Sequence, residues 1–469
     1  MPLLLLIIPV VFIFILNLPP RRIGGAIGPW AVGLVSLAQA VIAATCGLPY
    51  WSTITRALVL PVPVLLEVDF MSAVILFAIA LAAAAAAAVS ANYSPQRRQN
   101  FASLALMLMA GMNGVVMVRD LFSLYIFLEI TAVTSFILIS MNKKLEELEG
   151  AFKYFVLSGI ATVFLIAANM LIFMSCGSLR FAEVGAAFSS GSLIVQIALV
   201  LYVAAFCVKA GVVPFHGWLP GSYTSAPDAV SVLLAGIVTK VAGVYVILRL
   251  MGGLFAGLAA PGQAFMILGA ASIVIGAFAA IGQKNMKQML AWSSISQVGY
   301  IILAAGLGTK LALAGALLHF FNHAVFKALL FVNAASVQEQ CGSVEMESLG
   351  GLSEKMKVTG WTSVIGFLST AGVPPLSGFW SKLLIIMALI TAGRPVYAGI
   401  ALLMSVVTLG YFLIMQHKVF FGKLKAGLEG IRESRLSLSL TSAVLAAVTV
   451  IIGVLFPAVI AIMHSYGLV

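Results

Sequence analysis

The sequence predicts an all-α polytopic membrane protein, and three observations predict it. Of its 469 residues, 62% are hydrophobic and only 9% are charged. The mean hydropathy of +1.14 lies far above that of soluble domains. Apolar windows of roughly 18 or more residues, the length that crosses ~30 Å of hydrocarbon at 1.5 Å per residue, recur along the whole chain. About fourteen such spans can be drawn: 2–18, 30–48, 69–91, 101–118, 121–140, 152–175, 193–213, 226–250, 263–282, 288–307, 312–337, 361–390, 397–421 and 437–463. The longest connection, about residues 338–360, is too short to bury a core of its own.

Residues 1–100 hold the first three spans. The first reads as a retained helix, because no basic residue precedes its apolar run and no small-residue cleavage site precedes "NLPPRR". The alanine tract from Leu81 suits close packing between helices, and Glu67 and Asp69 read as interfacial residues ahead of the third span. Residues 101–255 (spans four to eight) and 256–425 (spans nine to thirteen) form two units of five, and 426–469 adds the fourteenth span. An odd count per unit makes the second copy enter from the opposite side, so the two units are expected to be inverted repeats.

In each unit the fourth member is broken. The stretch "CVKAGVVPFHGWLP" places Lys209 just ahead of Pro214, Gly217 and Pro220, and a proline inside a helix removes a donor and clashes with the preceding turn. The twelfth span repeats the plan in "TAGVPPLSGFWSKLLII", where Gly372, Pro374, Pro375 and Gly378 precede Lys382. Helix breaks at membrane depth survive only where protein or water satisfies the freed backbone groups.

The net charge of +11 would suggest nucleic acid in a soluble protein, but here the location of the charges decides. Loops after odd-numbered spans carry Arg21, Arg22, Arg97, Arg98, Lys143, Lys144, Lys153, Lys284, Lys287, Lys355, Lys357, Lys418, Lys423, Lys425, Arg432 and Arg435. Loops after even-numbered spans carry only Arg56, Arg119, Arg180, Arg249, Lys310 and Arg394. The positive-inside bias therefore puts the odd loops in the cytoplasm and both termini outside. Four lysines belong to neither group: Lys209, Lys240, Lys327 and Lys382 fall inside spans, as does one acid, Glu129.

A charge at mid-bilayer costs on the order of 2.5–3.5 kcal/mol on insertion scales. Snorkelling or fixed ion pairs would explain one such lysine, but four lysines cannot all pair with one carboxylate. Desolvation favours the neutral form of an amine, and an amine that gives up and regains its proton is what a proton pathway needs. On the eleventh span His319, His323 and Lys327 stand four residues apart and so share one stripe. Zinc is disfavoured there, since no third ligand is evident and Lys327 would repel a cation. A proton relay and histidines bonded to neighbouring hydroxyls both remain open. Cys46, Cys176, Cys207 and Cys341 are scattered without metal or cluster spacing, so no cofactor, redox centre or catalytic site is expected in the chain. Asp120 and Asp228, near span ends, read as helix caps, and the mixed charges at 143–149 as a solvated loop.

The strings "KAGVVPFHGWLPGSYTSAPDAVSVLLAGIVTKVAGVYVILR", "MKQMLAWSSISQVGYI", "HFFNHAVFKALLF", "LGGLSEKM" and "GVPPLSGFWSKLLII" resemble the antiporter-like subunits of respiratory complex I, Mrp-type sodium/proton antiporters and membrane-bound energy-converting hydrogenases. The resemblance runs from about residue 65 to 425 in order. It implies fourteen helices with two inverted five-helix repeats. It also implies that Glu129 pairs with Lys209 on the broken seventh helix and that Lys240 links the two halves. Lys287, His319, His323 and Lys327 would form a central polar axis, and Lys382 would be the terminal site on the broken twelfth helix. Lysine at that position looks more like the D type of Mrp antiporters and the N type of complex I. Gly221, Ser222 and Tyr223 replace an Asp-Ala-His run common in complex I relatives, Lys357 stands where proline is common, and the long lateral helix of the largest member is not expected. The resemblance implies a proton-translocating subunit of a multisubunit complex in a prokaryotic cytoplasmic membrane, with other membrane subunits as partners and no nucleic acid. A sodium/proton antiporter subunit acting without redox partners is the alternative, and an inert scaffold leaves the buried charges unexplained.

Overall fold

The computed structural model describes residues 2–46, 66–189 and 191–468, and every named element among them is helical. Arg56, the side chain of Cys46 and the last residues of the second expected span lie outside the described residues. Twelve helices among the described residues are long and apolar enough to cross a membrane. Of the other two expected spans, the first is the 14-residue helix Leu4–Asn17, and the twelfth is divided into halves of 15 residues each.

The chain forms two compact units. Unit 1 comprises Met1–Gly211, Ser225–Pro227 and Ile237–Pro261. It contains α1 (Leu4–Asn17), α2 (Arg21–Cys46), α3 (Phe70–Ser90), α4 (Pro95–Met117), α5 (Leu121–Ile139), α6 (Leu145–Cys176), α7 (Phe181–Ser189) and α8 (Leu193–Ala210). Asp69 and Asp120 start α3 and α5 as N-caps, their carboxylates accepting from the Ser72 and Ser123 amides. Most of the alanine tract of α3 is buried, and α3 packs closely on α2, as small residues allow. The charged stretch at 143–149 is a loop only as far as Lys144. Helix α6 begins at Leu145, and Glu147 is buried in its first turn, where its carboxylate accepts from the Asn142 amide and side chain at 2.9 Å each. A carboxylate complements the positive end of the helix dipole there.

Unit 2 comprises Val212–Thr224, Asp228–Gly236 and Gly262–Val469. Residues 212–261, which alternate along the sequence between the two units, supply α9 (Leu219–Ser225) and α10 (Asp228–Met251), the second of which changes to π-helical turns at Leu234–Val238 and Lys240–Tyr245. Then follow α11 (Ala259–Ile281), α12 (Met286–Leu307), α13 (Lys310–Cys341), α14 (Lys357–Ala371), α15 (Ser377–Thr391), α16 (Pro395–Val419), α17 (Leu436–Val454) and α18 (Phe456–Ser465). At the centre of unit 2 stands α13, packed against α12, α14, α15 and α17. Its most apolar window is wholly buried, so its polar side chains face protein on every side.

Both expected breaks are present. Helix α8 stops at Gly211, whose φ of +65° is the left-handed conformation that ends a helix without a Cβ clash. Helix α14 stops in the same way at Gly372, φ +85°, and α15 restarts at Ser377.

Candidate functional site

In unit 1 the last turn of α8 carries Lys209, whose side chain is only 2% exposed. Its Nζ donates to Glu129 Oε1 on α5 at 3.2 Å and to Ser158 Oγ on α6 at 3.2 Å. The same Glu129 oxygen accepts from Thr162 Oγ1 at 2.6 Å. Ser158 and Thr162 stand four residues apart, one turn of α6, so a single helix face serves both members of the ion pair. Lysine at a helix C-terminus also meets the negative end of the dipole. Lys240 is buried on the second π-helical turn of α10. Three residues on, Gly243 lies so close to α8 that an added Cβ would sit 2.3 Å from the Ala210 nitrogen. Only a glycine lets the turn bearing Lys240 approach the helix end bearing Lys209 this closely.

Unit 2 holds a row of titratable groups. Lys287, in the first turn of α12, forms an ion pair with Asp228 Oδ1 at 2.5 Å. One turn further along α12, the Leu290 carbonyl accepts from Lys327 Nζ at 2.9 Å. That ammonium also lies 5.9 Å from the centre of the Phe412 ring. The His323 and His319 rings stack nearly parallel, with centroids 6.2 Å apart, as their four-residue spacing requires. Nδ1 of His319 shares a 2.9 Å hydrogen bond with Ser381 Oγ, and Ser381 adjoins Lys382. Lys327, His323 and His319 are each fully buried.

Lys382 shows what the break in the twelfth span provides. Its Nζ donates to the Thr370 carbonyl at 2.8 Å and reaches the Ala371 carbonyl at 3.4 Å. These are two of the terminal carbonyls of α14, which an unbroken helix would have bonded internally. The ammonium therefore sits at the negative end of a half-helix and over the face of Tyr300, 4.5 Å from its centroid.

The residues singled out in the sequence thus divide into two sets. Glu129, Lys209 and Lys240 belong to unit 1, and Lys287, His319, His323, Lys327 and Lys382 to unit 2. Pro214 and Pro220 follow the first break in the Val212–Thr224 segment, and Pro374 and Pro375 form the second. Sequence reasoning missed Ser158, Thr162, Ser381, Tyr300 and the carbonyls of α14. It also saw in Asp228 only a cap, whereas the carboxylate is the counter-ion of Lys287. No sequence signal marked this pair, because Lys287 read as a loop residue, whereas the structure buries it in the first turn of α12. A separate cluster at one end of unit 1 joins Asp69 to Arg249 by two hydrogen bonds and Arg119 to Glu67 and Asp69. Asp69 and Glu67 are therefore tied into an ion-pair network as well as lying ahead of the third span.

Comparison with known proteins identifies the family. Residues 118–409 match the NADH:quinone oxidoreductase/Mrp antiporter transmembrane family. The chain is 32% identical to the D-type subunit of a Na(+)/H(+) antiporter of Alkalihalophilus pseudofirmus, over 77% of this chain and 73% of that protein. It is 33% identical to the N-type subunit of an NADH-quinone oxidoreductase of Desulforudis audaxviator, over 68% of this chain and 64% of that protein. Among solved structures it superposes with a TM-score of 0.90 and 29% identity on a chain of the membrane-bound sulfane sulfur reductase, an archaeal respiratory membrane complex, covering 99% of this chain and 96% of that one. A match over well more than half the chain, holding both helix breaks and every lysine and histidine of the two sets, makes it a multi-pass membrane protein of the NADH:quinone oxidoreductase/Mrp antiporter family.

Proposed function

We propose that this chain is the proton-translocating, antiporter-like subunit of a multisubunit energy-converting complex, moving protons along the charged groups buried in each unit. The observation that carries the reading is the Glu129–Lys209 pair at a helix break, with Lys209 buried and held at 3.2 Å. While the pair is closed, the carboxylate and the Ser158 hydroxyl hold the ammonium form. When Glu129 swings away, a buried ammonium loses its counter-charge and releases its proton. In unit 2 the row Lys287, Lys327, His323, His319, Ser381 and Lys382 supplies successive proton-exchanging groups, and imidazole can accept at one nitrogen while donating from the other. Lys382, cradled by the carbonyls of α14, is the terminal exchange site. The division at 101–255 and 256–425 into inverted repeats, a location in a prokaryotic cytoplasmic membrane and both termini on the outer side complete the reading.

The driving force comes from neighbouring membrane subunits, since the relatives named above are subunits of a Na(+)/H(+) antiporter, of an NADH-quinone oxidoreductase and of a respiratory membrane complex. Sodium is the alternative ion, favoured by the antiporter name of one relative. The test uses the complex isolated through a tag on this chain and reconstituted in liposomes. Proton flux under an imposed potential is read with a pH-sensitive dye, with and without sodium. Lys209→Ala and Lys382→Ala should each cut proton flux at least tenfold in assembled complex. Unchanged flux in both variants would refute the relay, and flux that requires sodium would favour the alternative.

A further inference from the structure

We infer that Asp228 is the proton-loading group of unit 2, passing protons from the cytoplasmic side to Lys287 and so onto the Lys327–histidine row, an inference that rests on the function proposed above.

Three features of unit 2 carry it. The first is placement. Lys287 lies in the first turn of α12, two residues from Asn285, whose side chain bonds Glu345 at 2.7 Å, and three from Lys284, which pairs with Glu347 at 3.1 Å. This end of unit 2 bears the basic loops that the positive-inside bias assigns to the cytoplasm. The second is the exposure gradient. Asp228 is 28% exposed and Lys287 only 8%, so water reaches the carboxylate and the ammonium lies behind it. The third is continuity inward. One turn beyond Lys287, the Leu290 carbonyl holds Lys327, and the histidines follow at successive turns of α13.

A proton from cytoplasmic water binds the Asp228 carboxylate, and the pair loses its attraction because one partner is now neutral. The Lys287 ammonium, left without its counter-charge, gives its proton inward to Lys327 in its neutral form. The Asp228 carboxyl then protonates the Lys287 amine, and the ion pair closes again. One proton enters, one moves inward, and both groups return to their starting charges. Unit 2 thereby has a carboxylate–lysine pair of its own, as unit 1 has in Glu129 and Lys209, but set at the surface end of its row.

The rival is a fixed ion pair that merely ties α10 to α12, and two variants separate the readings. Asp228→Asn keeps an oxygen that can accept from the Lys287 ammonium but cannot carry a proton. Lys287→Arg keeps the ion pair but holds its proton at every accessible pH. In the reconstituted complex, normalised to the amount assembled, both should lower proton flux about tenfold or more, whereas Asp228→Glu should retain at least about half. A fixed pair predicts near wild-type flux for all three. Flux within twofold of wild type in either Asp228→Asn or Lys287→Arg overturns the inference, so a variant that fails to assemble leaves the other to decide. If Lys209→Ala and Lys382→Ala abolish flux while Asp228→Asn does not, only this inference falls. If none of the four matters, the function reading falls with it.

Discussion

The broken helix of unit 2 can be pried open by one methyl group. Gly378 packs so tightly on α14 that an added Cβ would lie 1.9 Å from the Ser369 carbonyl oxygen. An ordinary carbon–oxygen contact is about 3.3 Å, so Gly378→Ala must drive α14 and α15 apart by about 1.4 Å. The neighbouring Thr370 carbonyl accepts from Lys382 Nζ at 2.8 Å, and α15 carries that lysine. The same displacement would stretch that bond to about 4.2 Å, past the limit of hydrogen bonding. Overpacking costs about 1–3 kcal/mol and a lost bond to a charged group about 1.5–3, so the variant should lose roughly 2.5–6 kcal/mol of stability. Gly399→Ala is the control, because an added Cβ there meets nothing within 4 Å. It should be neutral or gain up to about 1 kcal/mol from helix propensity. Denaturation of the purified protein in detergent measures the difference, and proton flux in the reconstituted complex should fall only in Gly378→Ala. If the two variants denature and translocate alike, the close packing at the break does not hold Lys382, and the reasoning fails.

Two further outcomes follow from the same geometry. His319→Gln keeps a side chain able to bond Ser381 but cannot relay a proton, so flux should drop at least tenfold while stability moves by no more than about 1 kcal/mol. Equal losses of flux and stability would mean a structural histidine. At the end of unit 1, burial raises the Asp69 carboxyl, but bonding to Arg249 and the charges of Arg249 and Arg119 outweigh it and hold the group well below the usual carboxylate range. A depressed value stabilises the folded state in full above the unfolded carboxylate value of about 3.9, and that contribution is lost as pH falls through the folded value. The deficit of Asp69→Asn relative to wild type should therefore be constant from about pH 8 to pH 5 and shrink only below about pH 4. A deficit that already shrinks between pH 7 and pH 5 would contradict the assignment.

How much of this was legible depended on the range of the interaction. The spans, both helix breaks and the buried lysines were readable because each is a local property: an apolar window, a proline beside a glycine, a charge where the window forbids one. The stacked histidines were readable because a four-residue spacing on a helix fixes their geometry. Lys382 was readable as a buried charge, but not the Thr370 and Ala371 carbonyls that receive it, because backbone acceptors leave no mark on composition. Asp228 was read only as a cap because its position near the start of a span suits one, and nothing local announces a partner on another helix. The π-helical turns around Lys240 and the early start of α6 escaped for a related reason, since packing decides them and propensity barely differs. Glu147 was the visible hint for α6, an acid in a first turn.

The two breaks and the buried lysines can be understood as one solution to one problem. An ammonium within a membrane protein needs negative charge nearby, and a carboxylate partner alone would fix it as a permanent salt bridge. In unit 1 the supply is mixed: the end of α8 contributes its dipole, Glu129 a full charge and Ser158 a neutral acceptor. In unit 2 the Lys382 ammonium meets carbonyls and a ring face, and among the described residues no carboxylate pairs with it. Partial charges stabilise an ammonium less than a full counter-ion does, so of the two lysines at the breaks Lys382 has the weaker electrostatic partners. Replacing the second break with continuous helix would return the Thr370 and Ala371 carbonyls to intrahelical bonds and leave the ammonium without acceptors. In the relay proposed above the breaks are therefore part of the proton chemistry, because a continuous helix would take from Lys382 the carbonyls that now receive it.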